Sequence, residues 1–259
     1  MTAVEAPGPR RTPLWRLITA EMLQNWTIPL LSIFAVGTLV LAALGIAAGM
    51  SVTQGAGIPL TSSIGQRHVF EPAGAAWLFM LALGVLGMAG EHRHHTASVT
   101  FLAEPRRSRV FVAKIAAYGL IGLFLGLVTE IDASGLASLW IVAKGVHFVP
   151  TEQVWQVLEG ALIATMLYGI LGVGIGGLLR SQVAALGAVL GWTLVVEPLL
   201  GDLWPGSAKY LPNGAASALR RVPGPDWLSM RTGGLLFAGY VTLFVLLGLQ
   251  SLLRRDITE

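Results

Sequence analysis

Glu91, His92, His94 and His95 fall within about one helical turn of one another, in the stretch GMAGEHRHHTASVTFLAEPRRSR that runs from Gly87 to Arg109 between two long apolar runs. A carboxylate beside neutral imidazoles is a metal-ligand set. Helical zinc pairs, however, place two histidines at i and i+4. The spacings of one, two and three found here suit that geometry poorly. The same stretch holds Arg93, Arg106, Arg107 and Arg109. Its plain alternative is a solvated turn that anchors two spans while its arginines reach lipid phosphates.

Three more carboxylates stand where apolar residues dominate: Glu130, Asp132 and Glu197. A carboxylate at a bilayer centre costs about 2.5 to 3.5 kcal/mol on insertion scales, so such residues line pathways or lie near an interface. Counting along their apolar runs places all three toward the outer half of a membrane, as wet interfacial groups or as part of a pathway or outer gate. Glu197 precedes Pro198, which can kink a span and free carbonyls there. Nucleotide chemistry has no carrier. A Walker A loop ends in Lys followed by Ser or Thr, and Lys114, Lys144 and Lys209 have no such context. No catalytic residue and no resident cofactor are expected. Gly172 and Gly176, spaced as GxxxG, predict close helix packing rather than phosphate binding.

These groups must be positioned by apolar helices. Of 259 residues, 54% are hydrophobic and only 12% charged, a balance foreign to soluble domains. Apolar runs of about 20 residues match a bilayer core when helical, and a helix satisfies its own backbone hydrogen bonds where water is absent. Cysteine is absent, which excludes disulfides, cysteinyl metal sites and thiol nucleophiles. The first residues show no apolar segment behind a basic start, so no cleavable signal peptide is expected. From Leu14 to Trp26, Trp15, Ile18, Met22 and Trp26 recur on one helical side, with Glu21 and Asn25 blurring its edge, and predict an interfacial helix over 14–26.

Six spans are expected: Thr27 to Met50, Ala73 to Gly90, Val110 to Ala143, Val157 to Leu179, Val183 to Leu203 and Gly233 to Leu253. An even number puts both termini on one side. That side would carry Arg10, Arg11, Arg16, Arg93, Arg106, Arg107, Arg109, Lys114, Arg180, Arg254 and Arg255, eleven of the seventeen basic residues. The positive-inside rule therefore places both termini in the cytoplasm. The small net positive charge of +3 is of the kind that collects in cytoplasmic loops and points to lipid surfaces, not nucleic acid. The third run is long for a bilayer. As one helix it would reach about 50 Å, so either it protrudes or it breaks near 130–135, where Glu130, Asp132, Ser134 and Gly135 follow one another. Residues 204–232, bounded by prolines and carrying a helical pattern from Asn213 to Leu219, should form an outer excursion of one or two short helices. No soluble domain boundary interrupts 1–259, which reads as one transmembrane domain.

At Gly90, Glu91, Arg93, His94 and Thr96, followed by Thr100, Phe101, Leu102, Ala103, Pro105, Arg106 and Arg107, the chain resembles the permease subunits of type-2 ABC transporters, especially actinobacterial ones with a GE-x-RHGT box and a following TFLA-x-PRR. His95 stands where that box has glycine. The stretches LLRSQVAALGA (Leu178 to Ala188), YLPNGAASAL (Tyr210 to Leu219) and LLRRDIT near the carboxyl end extend the resemblance over nearly the whole chain. It implies an all-α inner-membrane exporter subunit with six spans and an amphipathic elbow helix. Segment 91–109 would be a cytoplasmic coupling helix docked on a separate ATP-binding subunit that holds ATP and magnesium. Gly90, Glu91, Arg93, His94, Thr96, Arg106 and Arg107 would belong to that coupling surface. A second permease copy is implied, with a drug, lipid or similar hydrophobic or amphipathic compound as cargo. Two other classes stay open: a metal-dependent intramembrane enzyme built on Glu91 and the histidines, and a non-transporting sensor or immunity protein that keeps the permease fold.

Overall fold

The computed structural model describes residues 12–254 except 28, 72–75, 94–105, 149–150, 180, 205 and 223–227, and of 91–93 it describes the backbone alone. Helices account for nearly everything described, and no strand occurs among these residues. They are α1 (Leu14–Thr27), α2 (Pro29–Gly55), α3 (Ser63–Phe70), α4 (Ala76–Arg93), α5 (Arg107–Ala143), α6 (Glu152–Leu178), α7 (Gln182–Leu203), α8 (Pro212–Leu219) and α9 (Met230–Arg254). A short 3-10 turn, Ala208–Tyr210, precedes α8.

Five helices, α2, α5, α6, α7 and α9, are long and apolar enough to cross a membrane, while the apolar part of α4 is the shorter Ala76–Gly90. The surface agrees with that solvent. Ile33, Val36, Val40 and Leu44 form an exposed row on α2, and Leu235, Leu243 and Leu246 do so on α9. Water would not tolerate such continuous apolar faces, whereas lipid chains match them. The protein is an all-helical, multi-pass membrane protein.

Helix α6 is the hub, packing on α4, α5 and α9. Its glycines make that possible. A Cβ on Gly172 would fall 2.9 Å from Gly84 Cα of α4, and one on Gly176 would fall 2.9 Å from Met88 Cβ. The GxxxG pair therefore faces α4 at backbone contact, as its spacing predicts. Gly174, on another side of α6, meets Phe244 and Val245 of α9 just as closely. Around these crossings lie Tyr168, Phe237 and Leu219 in one buried cluster, and Tyr118, Met80 and Phe111 in another.

The third run resolves into a single unbroken helix of 37 residues, α5, about 55 Å long. Glu130, Asp132, Ser134 and Gly135 do not interrupt it. A single glycine weakens a helix by only about 1 kcal/mol, and breaking the helix would leave its peptide groups without partners in an apolar surrounding. In α7 the opposite happens. Pro198 has no N–H, and residues Trp192–Val196 widen into a π turn in which the Glu197 N–H bonds back to the Trp192 carbonyl. The proline's clash with the preceding turn is relieved by this extra residue. Helix α3, which no sequence pattern announced, begins at Ser62, whose hydroxyl accepts from the Gly65 N–H at 3.1 Å. That is an ordinary N-cap.

Candidate functional site

Two polar assemblies sit at opposite ends of the bundle. The first joins α1 to the start of α5. Lys114 Nζ donates to Glu21 Oε2 at 2.6 Å, with side chains only 2% and 8% exposed. One helical turn further along both helices, the Tyr118 hydroxyl donates to Asn25 Oδ1 at 2.9 Å. Tyr118 reaches Asn25 by crossing α4 at Gly87, where any Cβ would collide with the phenol. Glu21 and Asn25, which blur the edge of the amphipathic pattern of α1, are its buried residues, while Trp15 and Trp26 on its apolar side are exposed. The helix turns polar groups inward and tryptophans outward, the arrangement expected where one side meets lipid.

At the same end Arg109 donates to the Thr12 carbonyl and Arg107 donates to the Leu252 carbonyl at 3.3 Å. Both described chain ends thus lie against the first turn of α5. Arg106, by contrast, is exposed and precedes the helix without capping it. Among the other coupling candidates, Gly90 lies on α4 with open space where a Cβ would stand, and Glu91 and Arg93 form the last turn of that helix. His94 and Thr96 lie outside the described residues. So does the rest of the histidine cluster except the backbone of His92. Among the described residues no group of three His, Asp or Glu side chains is placed to hold a metal ion.

The second assembly surrounds α8. Glu197 of α7 is 5% exposed, and its Oε1 accepts from the backbone N–H groups of Asn213 at 2.5 Å and Gly214 at 3.1 Å. A carboxylate so placed satisfies donors of the first turn of α8 that no helical carbonyl can reach. Asn213 in turn accepts from the Tyr168 hydroxyl at 3.0 Å. At the other end of α8, Arg220 lies over the Trp77 ring at 5.2 Å and contacts Ser217 Oγ at 3.2 Å. Arg221 adopts the left-handed φ of 55°, closing a C-terminal cap in which Arg221 N–H and Val222 N–H return to Ala218 and Ser217. The Arg221 carbonyl is held by Arg67 of α3 at 2.7 Å. Burial raises the Glu71 carboxyl to about 7, against the opposing pull of Arg67 and Arg220. Burial lowers Arg220, offset by Tyr168 and Glu71.

Beside Glu197 opens a cavity of about 420 Å³ between α6, α7, α8 and α9. Leu171, Val189, Trp192, Tyr168, Tyr240 and Phe244 are among its walls. The other intramembrane carboxylates are elsewhere. Glu130 is buried in α5 with Oε1 unbonded, and Asp132 is partly buried with Oδ2 unbonded. Neither lines this cavity. Sequence reasoning named Glu197 but missed the Glu21–Lys114 pair and the Tyr168–Asn213 bond. The available signal was the pair of polar residues, Glu21 and Asn25, at i and i+4 in a helix otherwise marked by tryptophans.

No family model matches the chain, and no curated protein matches it either.

Proposed function

We propose that this chain is the permease subunit of an ATP-driven exporter of the type-2 ABC class. It crosses the cytoplasmic membrane six times, as α2, α4, α5, α6, α7 and α9, with both termini in the cytoplasm and α1 as its elbow helix. The observation that carries this reading is the buried joint of Glu21 with Lys114 and Asn25 with Tyr118. It fastens α1 to α5 at the end of the bundle from which the Gly90–Arg107 segment emerges. A force applied to that segment would reach α4 and α5 directly, and α1 through the joint, without slack from flexible surface contacts.

In this mechanism an ATP-binding subunit, carrying ATP and magnesium, seats the segment containing Glu91, Arg93, His94, Thr96 and Arg106. Closure of two such subunits moves α4 and α5 of two permease copies, and a pathway for a hydrophobic or amphipathic compound opens to the other side. Arg107, which also belongs to the coupling surface, and Arg109 tie α5 to both described chain ends, and this strengthens the transmission. The chain itself catalyses nothing. The test is a pull-down of the tagged protein from its native membrane, followed by mass spectrometry and an ATPase assay. Recovery of a P-loop ATPase, with transport-coupled hydrolysis lowered in Glu91→Ala while membrane insertion persists, supports the reading. Repeated recovery of the chain alone in mild detergent overturns it in favour of a sensor that keeps the permease fold.

A further inference from the structure

The cavity beside Glu197 is built for more than packing. Its walls are almost wholly apolar, and Trp192 and Leu243 are 42% and 49% exposed, so its mouth opens on the outside of the helix bundle. Nearly every polar group at its inner end is already used. The Tyr168 hydroxyl is bound to Asn213, the Tyr240 hydroxyl donates to the Tyr210 carbonyl at 2.8 Å, and Glu197 Oε1 is taken by two backbone amides. Glu197 Oε2 is not. It is buried and makes no geometrically defined hydrogen bond among the described residues, with the Trp192 indole lying near the carboxylate. The nearby cation, Arg220, is engaged by the Ala216 carbonyl, Ser217 Oγ and the Trp77 ring.

A buried carboxylate oxygen without a donor is costly, and the group that removes the cost is an N–H donor, best of all a charged one. Aromatic faces favour the same partner. Trp192, Tyr240 and Phe244 line the cavity, and aromatic rings attract an organic cation, while the aliphatic walls accept its hydrocarbon part. The volume lies within the range of small-molecule sites.

We infer that this cavity binds a hydrophobic molecule carrying a protonated amine, with Glu197 Oε2 as the acceptor that reads its charge. That the bound molecule is cargo rests on the permease reading. The binding itself is a property of this chain alone, and it is measured without an ATPase, so failure of one leaves the other standing.

The probe is dodecylamine with a diazirine in its alkyl chain, applied to the full chain in dodecyl maltoside. Its neutral control is the corresponding dodecanol. The amine is expected to label α7 and α9 peptides flanking the cavity at least tenfold more than the alcohol does. Glu197→Gln keeps an acceptor for the Asn213 and Gly214 amides but removes the charge, and should reduce amine labelling about tenfold without changing alcohol labelling. Ala188→Trp, placed in the wall, should block both, and it serves as the test if Glu197→Gln fails to fold. Competition by phosphatidylethanolamine would identify a lipid amine as the natural source, and absence of competition a free amphiphile. Equal labelling by amine and alcohol, or undiminished amine labelling in either variant, overturns the inference.

Discussion

The two ends of the bundle handle buried charge in contrasting ways. At the end holding both described chain termini, Glu21 meets Lys114 directly and Asn25 meets Tyr118, so each charged or polar side chain finds a partner on a neighbouring helix. At the other end Glu197 is held by backbone amides of α8, Arg220 stacks on Trp77, and Glu71 lies among two arginines. The first arrangement is closed and rigid. The second leaves a carboxylate oxygen open beside a cavity and a carboxyl group whose proton exchanges near neutrality. A closed joint suits a point that transmits movement, and an incompletely paired one suits a place where something binds or changes state.

This contrast can be broken most forcefully at Lys114. Lys114→Ala removes the ammonium that meets Glu21 in a buried position and should destabilise the protein by about 3 to 5 kcal/mol, seen as a lower Tm in mild detergent. The double variant Glu21→Gln with Lys114→Met should recover most of the loss. A single variant as stable as the native chain would mean that the joint is not closed. Between the ends, Gly172→Leu forces α4 and α6 apart where their backbones touch. A cost of about 2 kcal/mol or more is expected, measured the same way, and a neutral result would contradict the crossing itself.

Tyrosine variants compare the ends at equal chemistry. Tyr118→Phe leaves the buried Asn25 amide without its donor, and about 1 kcal/mol of stability should be lost. Tyr168→Phe should cost less, because Asn213 is only partly buried and water can replace the phenol. The last effect concerns pH. With its carboxyl raised to about 7 in the fold, Glu71 holds a proton in the native state that the unfolded chain has already released above the ordinary carboxylate range. Its contribution is therefore complete below that range and is lost as pH rises toward 7. Solvent access to this half-buried group limits the effect to about 1 kcal/mol. Thermal unfolding between pH 5 and 7.5 measures it, and Glu71→Gln should flatten the slope.

Much of the architecture was legible because membrane helices announce themselves through length and hydropathy alone. The apolar runs placed α2, α5, α6, α7 and α9, and the proline-bounded stretch with its Asn213 to Leu219 pattern placed α8. The candidate coupling residues were legible only through the resemblance, and the part of that segment carrying His94 and Thr96 lies outside the described residues. Helix α3 was missed because its eight residues mix polar and apolar types without a sustained period. On α1 the tryptophans marked a side that is exposed, whereas the burial of Glu21 and Asn25 was not legible, because their partners Lys114 and Tyr118 stand far away in the sequence.

Composition and run length by themselves determined that this chain is helical and membrane-embedded, since a lipid solvent forces each backbone group to bond within its own helix. GxxxG spacing determined that α6 would be approached closely. Which polar groups meet was decided only in three dimensions. Glu21 and Lys114 are 93 positions apart, and Glu197 finds the amides of α8 only after a π turn and a proline redirect the chain. No local pattern encodes such pairings, because they depend on where separate helices come to rest against one another.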